Sequence, residues 1–253
     1  MYNLYHGDCL EIMKSIPDKS VDVILCDLPY GSTPLSWDRQ LDITLLWNEY
    51  KRIRKDTTPI LLFGQEPFSS LLRCSNIDEF KYDWYWKKEQ FTNVFQIRKR
   101  PGKNIEIISV FYKAQCLYKP QKYKHLGKPV TNKIKNSTFD VTMAGKKDTS
   151  FLRKEYIDDG TRYPSQILEV HKKYKQKNVH PTQKPIELLE YLILTYSNEG
   201  DTILDNCMGS GSTGVACMNT GRKFIGVEKE ETYFNIAESR IKEASNNLNK
   251  FME

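Results

Sequence analysis

Hydrophobic and polar positions follow strand and helix rhythms over both ends of this chain, with a stretch between them that follows neither. Residues 21–26 (VDVILC) form a short β-rich run. Residues 41–54 bring Leu45, Leu46, Trp47, Tyr50 and Ile53 onto or near one face at helical spacing. Residues 59–63 read as a buried strand closed by Gly64, and a helix is expected from Pro67. Further strands are expected at 82–86 and 105–112.

Between 113 and 178 the periodicity fades, and Lys, Tyr, Gly, Pro and Asn dominate. Apolar residues persist there, so the segment reads as an inserted module of short or irregular elements rather than a disordered tract. Order returns at Pro185, which opens a helix with a wide apolar face. A strand at 202–205, a glycine-rich turn, a helix at 213–218, a strand at 223–227 and a long last helix follow. Such a unit is expected to pair its two strands in parallel through a right-handed crossover. The 253 residues suit one large α/β domain carrying an insertion, with no internal repeat.

Charge sharpens this division. The chain carries a net +6, but residues 113–180 hold 16 Lys/Arg against 6 Asp/Glu, which leaves the remainder slightly acidic. A basic block of this kind fits a polyanionic partner, or else a solvated lysine-rich loop. Its aromatics, among them Tyr118, Tyr123, Phe139, Phe151, Tyr156, Tyr163 and Tyr174, can stack on bases or form a small local core. Six cysteines with no C-x-x-C pair argue against a zinc site and a disulfide framework, and suit a reducing compartment. No apolar run reaches membrane-spanning length, and the first residues lack the pattern of a signal peptide, so a cytoplasmic protein is expected.

Two segments carry candidate chemistry. Gly209-Ser210-Gly211-Ser212-Thr213-Gly214 follows a strand and opens a helix, where glycines admit a ligand to the backbone and free N–H groups favour an anion. Glu228 closes the next strand, a place from which an acid accepts hydrogen bonds from ribose hydroxyls. The pattern also matches G-x-G-x-x-G, so a nicotinamide-dependent oxidoreductase is a competing reading. A phosphate-binding P-loop is not, because Val215 stands where its lysine is needed. The second segment is Asp27-Leu28-Pro29-Tyr30-Gly31 after the first strand, which by itself is an ordinary strand end with a turn.

Taken together, "DLPYG", "HPTQKP" and "LDNCMGSGST" resemble the DNA amino-methyltransferases, and their order resembles the β class of that family. The likeness runs over nearly the whole chain, from "NLYHGDCLEIMKSIPDKSVDVILCDLPY" to "FIGVEKEETYFNIAESRI", and includes segments common in phage and prophage members. It implies an α/β fold: a circularly permuted, mostly parallel Rossmann-like sheet with an inserted target-recognition module. The halves would be a catalytic part at 1–113 and a cofactor part at 179–253, with the basic recognition insertion at 114–178.

The resemblance also implies an activity: transfer of a methyl group from S-adenosylmethionine, leaving S-adenosylhomocysteine, to the N6 amine of adenine in duplex DNA. Cytosine N4 is the alternative base, and a non-catalytic DNA-binding relic the alternative class. Asp27 and the carbonyl of Leu28 would accept the amine hydrogens, Pro29 would aim that carbonyl, and Tyr30 would stack on the flipped base. Asp205, Gly209, Gly211 and Thr213 would surround the methionine moiety, Glu228 would hold the ribose, and Asp8 with Cys9 the adenine. His180, Thr182 and Lys184 would close over the methionine end, although an ordinary helix start explains them as well. Trp37 and Asp38 also fit the family's pattern, and no metal is required. Lysines of the insertion would contact phosphates, with Arg153, Arg162, Asn132 and Asn136 as candidate base readers. A homodimer and a cognate restriction endonuclease are possible partners. Two departures stand out: Leu28 replaces the usual first proline, and Asn206-Cys207 the usual Pro-Phe.

Overall fold

A computed structural model describes residues 1–31, 40–124, 159–170 and 183–252. The expectations for Trp37, Asp38, Asn132, Asn136, Arg153, His180 and Thr182 lie outside the described residues.

The apolar runs become the strands of one eight-stranded sheet. In chain order its strands are β1 (Tyr2–His6), β2 (Val23–Cys26), β3 (Ile60–Gly64), β4 (Phe80–Lys87), β5 (Ile105–Phe111), β8 (Ile167–Glu169), β9 (Thr202–Asp205) and β10 (Lys223–Glu228). Their spatial order is β1-β10-β9-β2-β3-β5-β4-β8. Every pairing is parallel except those of β5, which runs antiparallel to both β3 and β4. All residues of β2 and β3 are buried, as expected for strands covered on both faces.

Helices form the covering layers. On one face lie α1 (Cys9–Met13), α2 (Ile43–Ile53) and α3 (Phe68–Ser75), packed with Ile24, Ile60 and Leu62. On the other lie α4 (Ile186–Tyr196), α5 (Ser212–Asn219) and α6 (Glu231–Met252), packed with Val23, Leu61 and Ile203. Asp42 caps α2 by accepting from the amides of Thr44 and Leu45. The two strands nearest the carboxyl end of the chain, β9 and β10, lie between β1 and β2. The Asp27–Gly31 and glycine-turn segments therefore meet although 178 residues separate Asp27 from Asp205.

Contacts divide the chain into two units, Met1–Lys119 with Ser165–Glu253, and Pro120–Pro164. Within the second, β6 (Tyr123–Lys124) pairs antiparallel with β7 (Thr161–Arg162), and Lys122 lies over the Tyr163 ring. Ser165–Val170, which the fading periodicity assigns to the insertion, instead contributes β8 to the main sheet. A strand of three residues is too short to show a period. The elements β1 and α1 escape sequence reading because each is partly exposed and lacks the continuous buried run of β2 and β3.

Candidate active site

Because β2 and β9 are adjacent and parallel, their carboxyl ends share one edge of the sheet. Asp27 follows one strand and Asp205 closes the other. Above them lies a cavity of about 430 Å³, within the range of small-molecule sites. Asp8, Cys9, Asp27, Leu28, Pro29 and Tyr30 line it from the first part of the chain. Lys184, Asp205, Gly209, Thr213 and Glu228 line it from the last.

Asp27 is held at both oxygens. Its Oδ1 accepts from the Tyr30 hydroxyl at 2.6 Å, and its Oδ2 from Lys184 Nζ at 2.5 Å. Lys184 is buried at the cavity wall, and its ammonium also pairs with Glu106 Oε1 at 2.8 Å. Lys88 completes the set on Glu106 Oε2. Two carboxylates and two ammonium groups thus form a closed, neutral chain, and the ring of Phe63 lies 5.0 Å from Lys184 Nζ.

Burial pushes the Asp27 carboxyl up even with Lys184 upon it, since that ammonium is shared with Glu106. Burial would raise Glu106 as well, but its two lysines outweigh that and hold it below the usual carboxylate range. For Lys184, burial favours the neutral amine, yet Asp27 and Glu106 together push its pKa up and keep it charged.

Tyr30 stacks on Phe68, with ring centroids 4.9 Å apart. Its phenol is raised by burial and by Asp27, so it remains a hydrogen-bond donor. Leu28 is buried with Phe68 and Leu204 in the core beneath the site, where an apolar side chain is well tolerated.

The glycine turn is built differently. Asp205 accepts from the Thr213 hydroxyl at 2.6 Å and from the Cys207 amide at 3.1 Å, and burial pushes its pKa up to about 6. Glu228 accepts from the Gly209 amide and the Glu230 amide, both at 2.8 Å, and burial raises it too. Asp8 caps α1 through the Leu10 amide, and Lys229 reaches it at 3.2 Å. Gly209 (φ +52) faces the open cavity, where an added Cβ would meet no atom within 4 Å. Gly211 (φ +78) is turned away from it: a Cβ there would sit 2.8 Å from that of Ala237 on α6. Its glycine is thus explained by helix packing. Arg240 of α6 holds the same turn by donating to Ser210 Oγ and the Ser210 carbonyl. The thiols of Cys9, Cys26 and Cys207 interact beneath the turn; burial pushes Cys26 up to about 12, so it stays protonated.

Sequence reading missed Glu106, Lys88, Phe68 and Arg240. Glu106 shows the cause: in IEIISVF it occupies what alternation presents as a solvent-facing position, yet Ile105 is exposed and Glu106 buried. Among the described residues, no group of three or more His, Cys, Asp or Glu could hold a metal. No helix among them is long and apolar enough to cross a membrane.

A family model described as DNA methylase matches residues 21–239. The chain is 28% identical to the Type II methyltransferase M.HinfI of Haemophilus influenzae over 273 residues, covering 96% of this chain and 69% of that protein. It is 27% identical to the DNA adenine methyltransferase YhdJ of Escherichia coli (strain K12), covering 96% and 83%. The crystal structure of an M1.HpyAVI–SAM complex superimposes with a TM-score of 0.61 at 27% identity, covering 95% of this chain and all of that one.

Proposed function

The chain belongs to the DNA methylase family, and from that premise we propose that it methylates the N6 amine of adenine in duplex DNA from S-adenosylmethionine. The observation that carries this reading is the position of the Asp27 carboxylate, beside the glycine turn and in one cavity with Glu228. Adenine is favoured by the likeness to YhdJ, a DNA adenine methyltransferase, and S-adenosylmethionine by the likeness to a protein bound to it.

The donor set fits such a cofactor. Glu228 carries oxygens that would accept from a ribose, Asp8 and the Cys9 backbone would hold an adenine, and Asp205 with Thr213 and the turn would hold the methionine group, all of them lining the one cavity. When bound, S-adenosylmethionine supplies an electrophilic methyl group on a sulfonium.

The protein's own contribution begins with the target amine, a poor nucleophile because its lone pair is delocalised into the ring. Asp27 Oδ1 and the carbonyl of Leu28 accept its two N–H bonds, which favours a pyramidal nitrogen with its lone pair free. In taking Oδ1 the amine replaces the Tyr30 hydroxyl there. The Tyr30 ring, backed by Phe68, then stacks on a base that has left the duplex. Lys184 fixes Oδ2 and keeps Asp27 from turning. Orientation of the amine is the main gain.

Incubation of the protein with methyl-labelled S-adenosylmethionine and adenine-unmethylated plasmid DNA, followed by digestion to nucleosides, tests the reading. Labelled N6-methyldeoxyadenosine is expected. Labelled N4-methyldeoxycytidine would replace adenine with cytosine as the target base, and duplex binding without label would leave a non-catalytic DNA-binding protein. Asp27→Ala is expected to slow transfer by roughly 10²–10³-fold while keeping its affinity for S-adenosylhomocysteine. A homodimer, a cytoplasmic location and a cognate endonuclease belong to the same proposal, and equilibrium sedimentation tests the first.

A further inference from the structure

The floor of the cavity carries a hydrogen-bond network for which methyl transfer as described has no use. Asn206 and Cys207 follow β9, in the two positions where the chain departs from the usual Pro-Phe. Both line the cavity. The Asn206 side chain is nevertheless buried, so its amide must find partners inside the protein.

Its Oδ1 accepts from the hydroxyl of Tyr50, 156 residues away, at 2.5 Å, and its Nδ2 donates to Cys207 Sγ at 3.6 Å. An amide oxygen only accepts, so the phenol is the donor. Burial holds the Tyr50 phenol well above its ordinary range, so that proton stays in place.

Tyr50 comes from a fixed helix. Beside it on α2, Arg52 donates to the carbonyls of Met13 at 2.6 Å and Ile16 at 2.7 Å, and Trp47 donates to Ser75 Oγ at 2.8 Å. The strands above are equally constrained, because β2 and β9 pair Ile24 with Leu204. Two residues on, Cys26 and Asn206 stand at one level, each next to an acid of the site, Asp27 and Asp205. Asp205 in turn accepts from the Cys207 amide. Whatever anchors Asn206 therefore fixes the first residues of the glycine turn against the strand end that presents Asp27.

We propose that Tyr50 is a positioning residue for methyl transfer, acting through Asn206 to hold the start of the glycine turn in register with Asp27. The inference rests on the reading of the chain as an S-adenosylmethionine-dependent methyltransferase. Transfer needs amine, methyl and sulfur in line, and a misplacement of about 1 Å costs roughly 10²-fold in rate. Without the phenol, the buried Asn206 oxygen has no donor, and relieving that penalty moves the turn. Tyr50 is not among the residues that line the cavity, so it acts only through Asn206.

The test uses the full chain at saturating S-adenosylmethionine and adenine-unmethylated plasmid DNA. Tyr50→Phe keeps the ring and removes the donor, and is expected to lower the single-turnover rate by at least about tenfold. In Tyr50→Phe/Asn206→Leu both partners are apolar and nothing is left unpaired, so the rate should return to within about threefold of wild type. Hydrogen exchange in the cofactor-free protein is expected to quicken by at least about tenfold at the Cys207 and Gly209 amides in Tyr50→Phe, with protection of β3 and β5 kept. A Tyr50→Phe rate equal to wild type, or a double variant as slow as the single one, overturns the proposal. Faster exchange over the whole sheet would reduce Tyr50 to a stability residue and overturns it too. Should Tyr50→Phe not fold, Asn206→Leu alone leaves the phenol unpaired and is expected to be as slow, with the same rescue in the double variant. If the wild type transfers no methyl group, the proposed function fails, and the exchange rates still decide whether Tyr50 holds the turn.

Discussion

Asp27 and Asp205 stand at the ends of neighbouring strands and face one cavity, yet they are held in opposite ways. Asp205 takes its partners locally, a hydroxyl eight residues ahead and an amide two residues ahead. Asp27 has a local partner in Tyr30, but its charge is balanced by Lys184, 157 residues away, and that lysine is balanced by Glu106. Asp205 is positioned by a turn and Asp27 by the assembled fold. A local turn tolerates neutralisation of its acid, whereas a buried ionic chain fails when one member is removed.

The largest expected effect follows from that contrast. Glu106→Ala leaves the buried Lys184 to Asp27 and takes the carboxylate away from half-buried Lys88, and should lower stability in urea by about 3–5 kcal/mol. Methyl transfer should fall more than affinity for S-adenosylhomocysteine, because the cofactor turn does not use Glu106. Equal losses in both would dissolve the distinction between the two regions.

Asp205 sharpens it through pH. Its pKa of about 6 lies above the ordinary 3.8, so the folded state holds this proton longer than the unfolded chain does. Its contribution to stability is full below about pH 4 and is lost as pH rises through about 6, a change of roughly 3 kcal/mol. Asp205→Asn should flatten the stability curve across that window, measured by urea unfolding at several pH values. The same slope in the variant would exclude Asp205 as the titrating group.

Gly211→Ala probes the packing of the turn against α6. The positive φ and the clash with Ala237 should cost about 1–3 kcal/mol in thermal unfolding. The smallest effect is expected at Leu28→Pro, which restores the family's usual residue. Stability should drop by no more than about 1.5 kcal/mol, with transfer kept within about tenfold, since the carbonyl remains. A collapse of activity there would make the leucine side chain itself a requirement.

How much of this was legible follows from length and locality. β2, β3 and β9 are buried on both faces and appear as apolar runs, while the helices α2 and α4 each span 11 residues, enough to show a period. β1, α1 and β8, of three to five residues, are not. In the site, Asp27, Tyr30, Asp205 and Glu228 mark themselves by standing where a strand stops. Phe68 opens an unremarkable helix, and Glu106 sits in a strand buried on both faces over most of its length, where alternation does not mark the inward positions.

The sequence alone determined the α/β alternation, the glycine turn, the acids that close its strands and the excess of positive charge in the middle. These depend on neighbours along the chain, where propensity and backbone geometry act over a few residues. Tertiary structure alone decided that Lys184 meets Asp27, that Gly211 packs against α6, and that Phe95 stands exposed. Burial and charge pairing join residues through space, and no spacing along the chain records which ammonium will meet which carboxylate.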